Sequence, residues 1–406
     1  MHFHILGIGP IGSLIAYHLR RALPPNHAVS LIHKNLRQSR ESISSGGTVS
    51  VERDGHVSTA VGFRHEVFEQ PYIHAQTQNE DPKATESPSS SLYESDEFIE
   101  SLIVTTKAHQ TVPAIRRLLP RISRDSTIVL LQNGMGVYEK LASEIFLNTR
   151  LRPHFVLASN THGAFFKSMQ KVVHTGVGAI DFGIVPDING RDYEAGFANG
   201  NKPHPHDIIQ AQEDPAFPHY RTLRNTVAAL LMLKSLNTSW KPMADIQVAM
   251  RRKLAVNAVI NPLTALMNCR NGDLFKTEAS LRIMQRVCQE ATDAYTAQLR
   301  AEAEDYLSKQ ASQGADAENI SVGTFPRGLT RSALQSECLR VAEVTKGNIS
   351  SMLHDVRRGR RTEIEFLNGY LVGLGGKHRV EMPANIMLMN LIKMRSAIPI
   401  DQILPY

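Results

Sequence analysis

Within its first dozen residues the chain runs from an apolar strand pattern straight into a glycine-rich turn, and that junction restricts what the amino-terminal half can fold into. His2–Leu6 (HFHIL) reads as a short strand, Gly7-Ile8-Gly9-Pro10-Ile11-Gly12 follows at once, and residues 13–23 read as a helix. Strand, G-x-G-x-x-G, helix is the arrangement that holds a pyrophosphate. The first glycine permits the tight turn, the second lets the backbone approach the ligand, and the third lets the helix pack on the strand. The phosphates then meet free N–H groups at the helix start. Further buried strands are expected at Ala28–His33, 101–106, 127–131, 155–159, 172–173 and 179–184, with a last short one at 235–241. The expected fold class is α/β, with a Rossmann-type dinucleotide-binding domain over residues 1–242.

Dinucleotide sites that take NAD carry an acidic residue near the end of the second strand, to bond the ribose hydroxyls. This chain has His33, Lys34, Asn35 and Arg37 there. Cations suit a 2′-phosphate, so NADPH is favoured over NADH; the plain alternative is a loop of solvated charges. In an open parallel sheet, ligands lie beyond the carboxyl ends of the strands, where Lys107 and Asn133 fall. Residues 48–61 alternate around Asp54-Gly55, a hairpin signal. Residues 70–96 are rich in Gln, Asn, Glu, Pro and Ser and read as a flexible surface insertion. Residues 186–219 read as a second, mobile insertion. Its His204 and His206 lack any carboxylate or cysteine framework, so no metal site is expected.

From residue 243 onward the pattern is almost wholly helical, giving a helical substrate and catalytic domain over 243–406. Helices are expected at 278–302, 348–358, 363–374 and 384–396, with a polar loop at 308–327. The most informative stretch is residues 251–265, RRKLAVNAVINPLTA. Lys253, Asn257 and Asn261 are spaced four apart, so they form a stripe along one face of an apolar helix. An ammonium and two amides are costly to bury without partners, and together they suit a small anion or a polarised carbonyl. The bland alternative is that Lys253 snorkels and the asparagines bond neighbouring backbone.

The composition narrows the function. A chain of 406 residues exceeds one ordinary core, so two domains are expected. A net charge of +6 without a long basic run gives no reason to expect nucleic acid. Three widely spaced cysteines read as free thiols in a reducing compartment. No apolar run approaches the roughly 18 residues that would span a membrane, and structure starting at Phe3 leaves no room for a leader. A cytoplasmic location is expected, with a mitochondrial one left open.

The motifs together resemble the ketopantoate reductase (2-dehydropantoate 2-reductase) family: GIGPIG at 7–12, VTTK at 104–107, QNGMG at 132–136, THGA at 161–164, RKLAVNAVINPLTA at 252–265, NISSM at 348–352 and TEIEFLNGY at 362–370, in the family's order. The resemblance implies NADPH on Gly7 to Gly12, with Lys34 at its 2′-phosphate, where the family would have arginine and Arg37 could share the contact. Lys107, Asn133, Ala164 and Glu363 are further cofactor contacts. It implies a small 2-keto acid held by Lys253, Asn257, Asn261, Asn271, Asn348 and Ser351, with Lys253 as general acid and Glu363 as its acidic partner. Glu365 lies roughly 200° from Glu363 on a helix, and motif position selects Glu363. The implied reaction is reduction of 2-dehydropantoate to (R)-pantoate, in pantothenate and coenzyme A biosynthesis. The alternatives are a reductase of another 2-keto acid and a non-catalytic NADP-binding protein. A homodimer is left open.

Overall fold

A computed structural model of the chain describes residues 1–67, 97–198, 202–210, 212–312 and 324–398. All of the sequence expected as the first insertion, and most of the 308–327 loop, lie outside these residues. The chain forms two compact units, one of residues 1–132 and 138–246, the other of residues 133–137 and 247–406.

The first unit runs β1 (His2–Leu6), α1 (Pro10–Ala22), β2 (Ala28–His33), α2 (Leu36–Ser44), β3 (Val49–Arg53), β4 (His56–Ala60), β5 (Arg64–Val67), β6 (Ser101–Val104), α3 (Ala108–Leu118), β7 (Thr127–Leu130), α4 (Val137–Glu144), β8 (His154–Asn160), β9 (Gly163–Ser168), β10 (Lys171–Gly176), β11 (Ile180–Ile184), α5 (Ala195–Ala198), α6 (Phe217–Leu231) and β12 (Thr238–Trp240). Its eight-stranded sheet has the order β12-β11-β8-β7-β6-β1-β2-β5. All neighbours are parallel except β8 and β11. The chain winds one way from β1 through β2 and the other way through β6, so the topological switch point lies between β1 and β6. This is the Rossmann-type arrangement.

A second sheet, of order β4-β3-β10-β9, covers α1 from the other side. That explains a helix whose residues Gly12 to Tyr17 are buried without a break: the mixed apolar face of the sequence is a helix covered on two sides. The β3–β4 hairpin turns at Asp54 and Gly55, both at positive φ. Strands β5 and β9 were not expected from the sequence; each lies at a sheet edge and shows no alternation of buried and polar residues.

The segment expected as a mobile insertion at 186–219 is packed where it is described. Tyr193, Ile208 and Ile209 join the main core of the unit, and Arg191 donates to the Ile208 carbonyl at 2.9 Å. Its few apolar residues are spread among Pro, Asn and Gly, so local composition hides their burial. His204 Nδ1 accepts from the His206 N–H and closes a short turn.

The second unit contains most of α7 (Met243–Met267), then α8 (Glu278–Ser312), α9 (Arg331–Val344), α10 (Ser351–Arg357), α11 (Asn368–His378) and α12 (Pro383–Ala397). Helix α8 extends ten residues beyond its expected end, and α9 was missed by the sequence reading. Pro262 lies inside α7. It has no N–H for the carbonyl of Ala258, four residues earlier. The fully buried Asn368 supplies the missing donor, with Nδ2 2.9 Å from that carbonyl and 3.0 Å from Asn385 Oδ1. Asn385 in turn donates to Glu290 at 2.8 Å. Glu290 also accepts the backbone N–H groups of Ala384 and Asn385 at the start of α12, and the Arg286 guanidinium at 3.0 Å. One polar chain thus fixes α7, α11, α12 and α8 to one another.

Histidine burial gives the first unit a pH signature. Burial holds His18, His33 and His154 down at about 4, and neighbouring imidazoles push the same way: His174 and His162 on His18, His65 on His33, His219 on His154. Between 6.5 and 4 the unfolded chain therefore takes up protons that the folded chain refuses, so stability falls as pH drops through that window. Thermal melts at pH 7 and 4.5 check this: the midpoint at 4.5 should be clearly lower, and an unchanged midpoint would contradict it.

Candidate active site

The pyrophosphate cradle is built at the switch point. Gly7 has φ of +99°, and a Cβ there would strike the backbone of Thr106 after β6. A Cβ on Gly12 would strike the Gly7 carbonyl and the Thr105 hydroxyl. A Cβ on Gly9 would meet nothing within 4 Å, which is the open approach a ligand needs. Pro10 occupies the first helical position and Gly9 brings no capping side chain, so the N–H groups of Ile11 and Gly12 have no partner in the helix. Ile8 is half-buried beside them. These features fit the diphosphate of a dinucleotide.

Lys34 and Lys107 fall on either side of this loop, after β2 and β6. The Lys34 backbone bonds Gln38 Oε1, and its exposed side chain makes no hydrogen bond or ion pair among the described residues. Arg37 is paired with Glu41 at 2.8 Å, which leaves Lys34 the more available cation. His33 is buried against His65 at 2.9 Å. Lys107 begins α3. Ala164 lies on β9, paired with His174 in the smaller sheet.

In the second unit the stripe on α7 is realised. Lys253 and Asn257 are half-buried and Asn261 is buried. The amides of Asn257 and Asn261 make no side-chain hydrogen bond among the described residues, against the bland alternative that they bond neighbouring backbone. Burial lowers the Lys253 ammonium to about 8, and the Glu363 carboxylate opposes that shift. The two glutamates have different surroundings. Glu365 is exposed and bonded to Lys393 at 2.6 Å, whereas Glu363 is half-buried and coupled to Lys253. The 363–374 stretch is not one helix: a 3-10 turn, Ile364–Phe366, follows Glu363, and α11 starts at Asn368.

Segment 133–137, which carries Asn133, packs on that turn. The Met135 N–H donates to the Phe366 carbonyl at 3.2 Å, and the Phe366 N–H to the Glu363 carbonyl at 2.9 Å. Met135 is buried in the second unit's core. The sequence reading used this segment only for Asn133 and missed its support of Glu363; a glycine on each side of a methionine was the available signal.

Asn271 and Asn348 meet: the Asn271 N–H donates to the Asn348 carbonyl at 3.0 Å. The Asn271 side chain donates to Thr345 at 2.9 Å, and its buried Oδ1 has no partner. Asn348 and Ser351 are exposed. The neighbouring Ser350 is the structural member of the pair, capping α10 through the Leu353 N–H and lying 2.7 Å from Thr264 of α7.

Among the described residues, His2, His4 and Glu66 bring potential metal-binding atoms within 4.8 Å of one another. The Arg121 guanidinium already sits there, 2.9 Å from Glu66 and 3.3 Å from His4. A cation position filled by arginine is a structural ion pair.

These features define the class as a dinucleotide-dependent oxidoreductase. The sequence profile of the ketopantoate reductase PanE/ApbA family matches residues 3–187, and the profile of that family's C-terminal region matches residues 245–396. The chain belongs to the ketopantoate reductase family. The 2-dehydropantoate 2-reductase of Vibrio cholerae is 28% identical over 395 residues, covering 97% of each chain. A probable 2-dehydropantoate 2-reductase of Schizosaccharomyces pombe is 26% identical over 404 residues, covering 97% of this chain and 95% of the relative. Among solved structures, a probable 2-dehydropantoate 2-reductase from Bacillus subtilis aligns with a TM-score of 0.59 at 23% identity, covering 97% of this chain and all of that one (100%). D-mandelate dehydrogenase with NADH and anilino(oxo)acetate aligns with a TM-score of 0.65 at 16% identity, covering 98% of each.

The support behind Glu363 is testable. Gly134 has φ of +84°, and a Cβ there would lie 2.6 Å from the Phe366 carbonyl. Gly134→Ala combines backbone strain with a clash and should cost about 1–3 kcal/mol. Urea unfolding measures it; a loss within error would show that the segment does not brace the turn.

Proposed function

We propose that the protein reduces 2-dehydropantoate to (R)-pantoate with NADPH, a step of pantothenate and coenzyme A biosynthesis. The observation that carries the reading is Lys253, lowered to about 8 by burial and coupled to Glu363, with two unengaged amides on the same helical face. A lysine so tuned stays protonated at neutral pH yet releases its proton more readily than a free one. It donates to the keto oxygen as negative charge develops there, acting as general acid and as electrostatic stabiliser. Asn257 and Asn261 supply amide donors to the substrate's carboxylate and hydroxyl. Asn271, Asn348 and Ser351 complete the set, the buried Asn271 Oδ1 as an acceptor. Glu363 holds the lysine proton in place.

The cofactor, when bound, supplies the hydride to the keto carbon. Gly7 to Gly12 would hold its diphosphate and Lys34 its 2′-phosphate, with Lys107, Asn133, Ala164 and Glu363 as further contacts. The relatives named 2-dehydropantoate 2-reductase support the substrate. The likeness to a 2-hydroxy-acid dehydrogenase with NADH keeps a second reading in view, a reductase of another 2-keto acid. A panel of keto acids assayed with NADPH and NADH separates the two readings. A non-catalytic NADP-binding protein would carry the desolvation cost of Lys253 without return.

Lys253→Ala should lower kcat by about 10²–10⁴-fold while NADPH still binds; near-normal turnover would remove Lys253 from the chemistry. Because the protonated amine is the active form, turnover should fall as pH rises through about 8. In Glu363→Gln the opposing carboxylate is gone, so that alkaline limb should move to lower pH. A limb that stays put would uncouple the two residues.

Cofactor choice is tested at Lys34. Charge reversal, Lys34→Glu, should weaken NADPH far more than NADH, as read by the Kd of each. Equal use of both cofactors by the unmodified protein would refute the assignment.

A further inference from the structure

The amino ends of β7 and β8 and the turn after β11 line a cavity of about 940 Å³ within the first unit, at the end of the sheet opposite that of Gly7 to Gly12. No motif in the sequence points to it. We infer that this cavity binds a small organic phosphate of nucleotide size.

Charge sets the sign of the ligand. Arg124, Arg150, Arg152 and Arg191 line the cavity against Asp125 and Asp187. Both carboxylates are engaged: Asp125 lies 2.6 Å from His219 Nδ1 and 3.5 Å from the Arg124 guanidinium, and the Tyr220 hydroxyl donates to Asp187 at 2.6 Å. Two of the arginines are held rigidly. Arg152 donates to the carbonyls of Phe146 and Ala142. Arg191 donates to Ile208, pairs with Asp214 at 3.6 Å and lies over the Tyr220 ring at 4.4 Å. Arg150 is exposed, and its side chain makes no hydrogen bond or ion pair among the described residues. A fixed pair of guanidinium groups with one uncommitted neighbour suits a phosphate, which takes several N–H donors at once.

Size and lining set the rest of the ligand. Sites for drug-sized molecules occupy about 300–1,000 Å³, so a bare phosphate would leave most of this volume empty. Tyr138 and His154 supply ring surface, and burial keeps His154 neutral down to about 4. Ring surface and arginines together match a nucleoside phosphate better than an inorganic anion.

The test is calorimetric titration of ADP into the full chain presaturated with NADP⁺, so that the Gly7 to Gly12 loop is filled. ADP should still bind. Arg150→Glu, an exposed change that leaves the melting temperature unaltered, should weaken it by at least about tenfold. Raising NADP⁺ a further tenfold should leave ADP binding unchanged, which separates this cavity from the proposed dinucleotide site. Pyrophosphate should bind more weakly than ADP. The inference fails if NADP⁺-saturated protein takes up no ADP, if Arg150→Glu binds as well as the unmodified chain, or if pyrophosphate matches ADP.

Discussion

The second unit depends on a helix that its own sequence interrupts. Pro262 removes the N–H that should close on the Ala258 carbonyl, inside the helix carrying Lys253, Asn257 and Asn261. A buried carbonyl without a donor costs about 1–3 kcal/mol. Asn368 meets that need from α11 and passes the connection to Asn385 and Glu290. Asn368 itself is wholly buried with Oδ1 unpartnered, so the repair is made at some cost. The consequence is positional: the polar stripe is fixed relative to α11, whose N-terminal approach carries Glu363.

That fixation bears on the lysine. An ammonium held at about 8 against a free value of 10.5 is a destabilising element of the fold at neutral pH. The sign follows from linkage: the cost is fully present below 8 and is relieved as pH rises toward and past 10.5. A rigid neighbourhood sustains such a group, because it cannot relax to solvate the charge. Glu363 offsets part of the cost, and its turn is braced by Met135. Tuning of the lysine and packing of the turn are therefore one problem, solved by the same residues.

The first unit solves a different problem with backbone. Its cradle needs no side-chain chemistry at Gly7 and Gly12, only the absence of a Cβ where two loops meet at the switch point. The buried helix α1, covered by a sheet on each face, makes that meeting tight. His18, His33 and His154 belong to this packing: burial lowers all three, and His33 and His154 bond a neighbouring imidazole and a backbone carbonyl.

Much of this was legible in the sequence. The strand–glycine–helix junction, the hairpin at Asp54-Gly55 and the four-residue stripe are local patterns, and local patterns survive without tertiary information. The sequence also singled out Glu363, but by motif position and on a helical argument that the 3-10 turn replaces. What only tertiary structure decided is what depends on distant partners. It exposed Glu365 to Lys393 and set Glu363 beside Lys253. It drew Tyr193 and Ile208 of a polar segment into the core. It made Ser350 a cap and left Ser351 at the surface. It also gathered four arginines from three loops at one end of a sheet. Each outcome turns on contacts across many residues, for which composition and period carry no record.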